Sequence, residues 1–93
     1  MEIRFYMDPE IGLPHTKRHG VDEHEVADVL SRPMEDRPGK DGARVVIGQT
    51  RAGRYLRVIY VPDIAPGAVF VITAYQLGTK ALRAMRRRRR KKA

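Results

Sequence analysis

The chain has 93 residues, 42% hydrophobic content, no cysteine and a formal net charge of +8 at pH 7. This describes one domain with one core. It excludes a disulfide framework or thiolate metal site, and no apolar run approaches the roughly 20 residues that a membrane helix needs. The charge is unevenly placed. Residues 1–42 carry a net −4 and residues 43–93 a net +12, and without the seven bases of 86–92 the whole chain is only +1. A nearly neutral body with a strongly positive end attracts polyanions: nucleic acid, ribosomal RNA, an acidic membrane surface or an acidic protein. The start, Met1-Glu2-Ile3-Arg4-Phe5, lacks the basic region and apolar stretch of a secretory signal. Cysteine-free composition is compatible with a reducing, cytoplasmic setting, which is the expected location.

Glu2–Tyr6 alternates, with Ile3 and Phe5 on one face, and reads as a short strand ended by Asp8-Pro9. Pro14-His15-Thr16-Lys17-Arg18-His19-Gly20 reads as a helix of little more than one turn, with proline at its start and glycine past its end. A second helix opens at Asp22, with Glu25 three residues on and Val21 placed to staple against Val26. Val26, Val29 and Leu30 form its apolar stripe, and Pro33 stops it. Met34–Gly42 is polar, contains Pro38 and Gly39, and reads as a surface loop.

Three strands follow. In Arg44–Thr50, Val45, Ile47 and Gln49 share one face and Val46 takes the other. Arg51-Ala52-Gly53 is a turn needing a positive φ at Gly53. In Tyr55–Val61, Leu56, Val58 and Tyr60 face one way. After a connection at Pro62–Gly67, Ala68–Tyr75 has almost no polar alternation, as in a central strand covered on both faces. The short loops make these three an antiparallel meander. A last helix starts near Thr79, with Ala81, Leu82 and Met85 as its apolar side. Beyond Met85, residues 86–93 are a basic extension, either helical or fraying. Seven cations in a run repel one another, so a compact helix there needs an anionic neighbour. The expected architecture is α+β, in the order β-α-α-β-β-β-α, with an antiparallel sheet, two N-terminal helices packed on one face and a basic C-terminal helix.

The segment Lys17-Arg18-His19-Gly20-Val21, the helix after it, the Gly53-Arg54 turn, and Ile72-Thr73-Ala74 before an arginine-rich helix together resemble the BrnT family. These are toxins of type II toxin–antitoxin modules with a RelE-like fold, and the resemblance covers most of the chain in element order and spacing. It implies a small ribonuclease that cuts RNA and arrests translation, with a DNA-binding antitoxin as partner. The chain departs from the family pattern at three polar positions. Tyr75 stands where the family has an arginine, Ala81 near its glutamate and Met85 near its tyrosine.

Metal-independent RNA cleavage needs a base for the 2′-hydroxyl, an acid for the leaving oxygen and cations for the phosphate. The candidates are Arg54, Arg57 and Tyr75 from the meander, Arg83 from the last helix, and His19 as acid or base. Each has an ordinary alternative: a solvated sheet face for the meander residues, and closure of the short helix for His19. Lys80 and Arg86, Arg87, Arg88, Arg89, Arg90, Lys91 and Lys92 are candidates for RNA phosphate contact, which gives affinity without sequence reading. His15 and His19 are four apart but lack a third ligand, so neither a metal nor another cofactor is expected. A non-catalytic RNA- or ribosome-binding module and a purely protein-binding domain are the alternatives. Self-association as a homodimer stays open.

Overall fold

The computed structural model describes residues 1–92, the side chain of Lys92 excepted. That side chain and Ala93, both part of the expected basic extension, lie outside the described residues. The elements are β1 (Glu2–Phe5), β2 (Met7–Asp8), β3 (Leu13–Pro14), a 3-10 helix (His15–His19), α1 (Glu23–Ser31), β4 (Pro33–Pro38), a 3-10 turn (Lys40–Gly42), β5 (Arg44–Gln49), β6 (Tyr55–Pro62), β7 (Ala68–Gln76) and α2 (Thr79–Lys92). β1, β7, β6, β5 and β4 form one sheet in that order, and β2 and β3 form a separate two-stranded ribbon. The class is α+β, and β5–β6–β7 is the expected antiparallel meander.

Three expectations need correction. First, the sheet is mixed. β1 runs parallel to β7, with Ile3 opposite Val69 and Phe5 opposite Val71. No hairpin joins these strands; the intervening chain forms a long crossover, which is the connection a parallel pair requires.

Second, the expected loop at 34–42 contains an edge strand. β4 pairs with β5, placing Glu35 opposite Ile47 and Arg37 opposite Val45. An edge strand facing water needs no apolar alternation, so Met-Glu-Asp-Arg gave no strand signal. The edge is protected against further pairing. Pro33 and Pro38 bracket it, the Met34 carbonyl accepts from Arg89 Nη1 at 2.6 Å, and the Asp36 carbonyl accepts from Arg44 Nη2 at 3.1 Å.

Third, the two expected N-terminal helices do not pack together on one face: only α1 forms a layer there, and α2 takes the other side. Neighbouring strand residues point to opposite sides of a sheet. Val46, Leu56, Val58, Val71 and Ala74 pack with Val26, Val29 and Leu30 of α1 on one side. Ile47, Leu77 and Met85 pack on the other, flanked by Tyr55, Ala81 and Leu82, so α2 covers that side. Val46 and Ile47 are both buried, and a sheet apolar on both faces has to be covered on both. The expected helix before Gly20 is a single 3-10 turn beside β7 and not a packed layer.

Local chemistry fixes both helices. The Glu25 carboxylate accepts from the Asp22 N–H at 3.0 Å, and Val21 and Val26 are sealed behind it, as the staple requires. Gly48 lets α1 approach β5 closely: a Cβ there would sit 3.0 Å from Val29 Cγ1. α2 runs unbroken from Thr79 through Lys92. The anionic neighbour it needs is Glu35, whose carboxylate accepts from Arg88 Nε and Nη2, each at 2.8 Å. Among the described residues no helix is long and apolar enough to cross a membrane.

Candidate functional site

Arg57 of β6 and Tyr75 of β7 are direct cross-strand partners, so their side chains emerge together on the α2 side of the sheet. Arg57 Nη1 donates to the Tyr75 hydroxyl at 3.4 Å, and the guanidinium carbon lies 5.9 Å from the Tyr75 ring centre. His19 joins them from the 3-10 helix, its ring centre 5.9 Å from that of Tyr75. Gly20, at φ +67°, turns the chain sharply after His19. This left-handed conformation favours glycine, and it lets the Gly20 and Val21 N–H groups close the 3-10 turn. His19 is itself exposed, and Tyr75 and Arg57 are half-buried.

Two polar atoms in this patch are shielded from solvent without a hydrogen bond among the described residues: Arg57 Nε and Thr73 Oγ1. Thr73 precedes Tyr75 by two residues on the same strand and therefore shares its face. Shielded polar atoms normally find a partner, so this donor and hydroxyl beside Tyr75 are exceptions among the described residues.

Arg54 lies next to this group and is already engaged. Its Nη1 donates to Glu25 Oε1 at 3.0 Å and to the Gly20 carbonyl at 3.0 Å, and its Nε donates to Gln76 Oε1 at 3.2 Å. Gly20 follows His19 and Gln76 follows Tyr75. Arg54 thus holds the Gly20 backbone and the Gln76 side chain, the chain neighbours of the two rings, a positioning role. Arg83 is elsewhere. At 100° per residue it lies about 160° around α2 from the buried Met85, and it is exposed.

The arginines of α2 divide in the same way. Arg86 stacks over Tyr55 at 5.6 Å, Arg88 pairs with Glu35, and Arg89 binds the Met34 carbonyl. Glu35 raises the pKa of Arg88, so that guanidinium is charged under all ordinary conditions. These three dock the helix. Lys80, Arg83, Arg87, Arg90 and Lys91 are exposed and form the outward cationic stripe. A cleft of about 670 Å³ opens between β4 and the end of α2, lined by Met34–Arg37 and Arg88–Arg90. His19, Arg57 and Tyr75 take no part in it.

One cluster escaped the sequence reading. Asp8 is buried, 4% exposed, where the β2–β3 ribbon folds back. Its carboxylate receives the Arg18 guanidinium, His15 Nδ1 at 2.9 Å and the Glu10 N–H at 2.9 Å. The Arg18 bond, then the His15 bond, hold its carboxyl well below the usual carboxylate range. The spacing of 8, 15 and 18 follows neither helix nor strand period, because a tight ribbon intervenes. The hint available was Asp8-Pro9 followed by Gly12, a turn signature with a carboxylate at its head. Among the described residues no group of three or more histidine, cysteine or acidic side chains is placed to hold a metal.

No family model, curated protein or solved structure matches this chain.

Proposed function

We propose that the protein is a metal-independent endoribonuclease of the BrnT type, with RelE-like architecture, acting as the toxin of a toxin–antitoxin pair. The observation that carries this reading is the contact of His19, Tyr75 and Arg57 on one half-open sheet face. Arg57, half-buried beside Tyr75, supplies the fixed charge for a phosphodiester. The Tyr75 hydroxyl is a second donor. His19, exposed beside the Tyr75 ring, takes the role of proton-transfer group. The stripe of Lys80, Arg83, Arg87, Arg90 and Lys91 supplies long-range attraction for the RNA backbone. In this reading the partners are RNA and an antitoxin that masks the basic face. Cytoplasmic action follows from the same reading.

A second reading, a non-catalytic RNA-binding module on this fold, is favoured by one observation. Met85 is fully buried and Ala81 packs beside it. The two α2 positions where the resemblance expects a tyrosine and a glutamate therefore offer no proton-transfer group.

Incubation of the purified chain with a single-stranded oligoribonucleotide separates the two. The ribonuclease reading expects products ending in a 2′,3′-cyclic phosphate, and a loss of about 100-fold or more in Arg57→Ala. Salt-sensitive binding without cleavage establishes the second reading instead.

A further inference from the structure

Building on the ribonuclease reading, we propose that His15, oriented by Asp8, is a second proton-transfer group of this site and works with His19 on one phosphodiester. The argument starts from Asp8. A carboxylate that receives Arg18 and the Glu10 N–H is ionised, and an ionised carboxylate only accepts. His15 Nδ1, 2.9 Å from Asp8 Oδ2, must then be the nitrogen that carries hydrogen. The tautomer is fixed, and Nε2 is left as the position that takes or gives a proton. Among the described residues no hydrogen bond engages it.

The placement extends the site already described. The His15 ring centre lies 5.5 Å from that of His19, edge to face, and His19 leads on to Tyr75 and Arg57. The His15 side chain is 29% exposed, so the pair is half-covered and still reachable. The groups facing His15 are Asp8, the Tyr6 ring at 6.1 Å and His19, with Arg18 behind Asp8. Arg18 and the backbone already balance Asp8. What His15 adds is an imidazole with a set orientation beside a second imidazole.

Two such rings divide the chemistry of in-line attack. His15 Nε2 removes the proton of the 2′-hydroxyl as the O2′–P bond forms. The P–O5′ bond breaks, and the departing O5′ takes a proton from the His19 imidazolium. One proton is taken up and one delivered, the products are a 2′,3′-cyclic phosphate and a 5′-hydroxyl, and no other reactant is needed. Asp8 is a positioning residue; His15 and His19 touch the substrate.

The test uses the full chain and a single-stranded oligoribonucleotide under single-turnover conditions. His15→Asn keeps an N–H for Asp8 and removes the titrating nitrogen. Its rate should fall about 100-fold or more, with RNA affinity and thermal midpoint unchanged. His15→Ala should regain part of the rate when imidazole is added, which a merely structural histidine would not allow. The ¹⁵N spectrum of wild-type His15 should show the Nδ1–H tautomer. Wild-type cleavage by His15→Asn, with Arg57→Ala still inactive, overturns this inference and leaves the ribonuclease reading standing. RNA left uncut by the wild type overturns both. Should neither variant fold, an Nε2–H tautomer in the wild type decides against the proposal and an Nδ1–H tautomer for it.

Discussion

α1 and α2 lie on opposite sides of one sheet and are held there by different forces. α1 is nine residues long, and Val26, Val29 and Leu30 sink into a continuous aliphatic layer. α2 is fourteen residues long, yet Met85 is its one fully buried side chain among those described. Three arginines make up the difference by reaching a ring, a carboxylate and a carbonyl on the body. Apolar burial is indifferent to ionic strength, whereas partly exposed ion pairs are screened by it. The lesson is that half of this molecule is fastened by oil and half by charge. The charged half is also the one that carries the cationic stripe.

The sharpest break in that contrast is Leu56→Ala. Leu56 is fully buried on the α1 side, so the substitution should cost about 2–5 kcal/mol and lower the midpoint of global denaturant unfolding equally at low and high salt. Met85→Ala removes the single deep anchor of α2. The expected cost also falls in the range of about 2–5 kcal/mol, toward its lower end because the helix end is open to solvent. Hydrogen exchange should accelerate in α2 while α1 stays protected. Equal acceleration in both helices would show that the two faces fold as one unit.

Glu35→Gln leaves Arg88 without its counter-charge. Stability should fall by about 1 kcal/mol, concentrated in the last turns of α2, and the difference from wild type should shrink as salt is added. A salt-independent difference would mean that packing, not charge, holds the helix end.

The smallest effect is that of acid. The Asp22 carboxyl lies below its ordinary value of 3.8, chiefly because of the Lys17 ammonium, and Asp8 is lowered by Arg18 and His15. For a group whose folded pKa is depressed, the added stability is complete above the unfolded value and disappears as pH falls toward the folded one. Stability should therefore hold down to about pH 4 and decline below it, beginning at the entrance to α1. Asp22→Asn should remove the part of that decline due to Lys17 and leave the part due to Asp8, as read from thermal midpoints across pH.

Most of the scaffold was readable in advance because it follows simple periods. Alternation in 55–61 placed Leu56 and Val58 inside and Arg57 outside, whereas Tyr75 stands beside Arg57 through the β6–β7 register. The helix start at Asp22 and Glu25 was visible from side-chain chemistry alone. β4 was not, since its Glu-Asp-Arg core has the composition of a loop and becomes a strand only because β5 offers an edge. Nor does an apolar stripe on α2 say which side of the sheet it will cover. Of the site, Arg57, Tyr75 and His19 converge, whereas Arg54 is drawn into a clamp with Glu25 and Arg83 turns to solvent. Asp8 and His15 meet through a ribbon whose register no local pattern announces.

The parallel pairing of β1 with β7 has a consequence for synthesis. β1 is completed by the last strand described, β7, with β4, β5 and β6 all made in between. Until Val71 has emerged, Ile3 and Phe5 lack their paired residues, and the 3-10 turn that bears His19 lacks a complete β7 beside it. Closure must wait for a contact spanning most of the chain. A nascent chain that has reached any point between residues 24 and 74 carries the histidines without Tyr75, and the patch assembles only once β7 has been made.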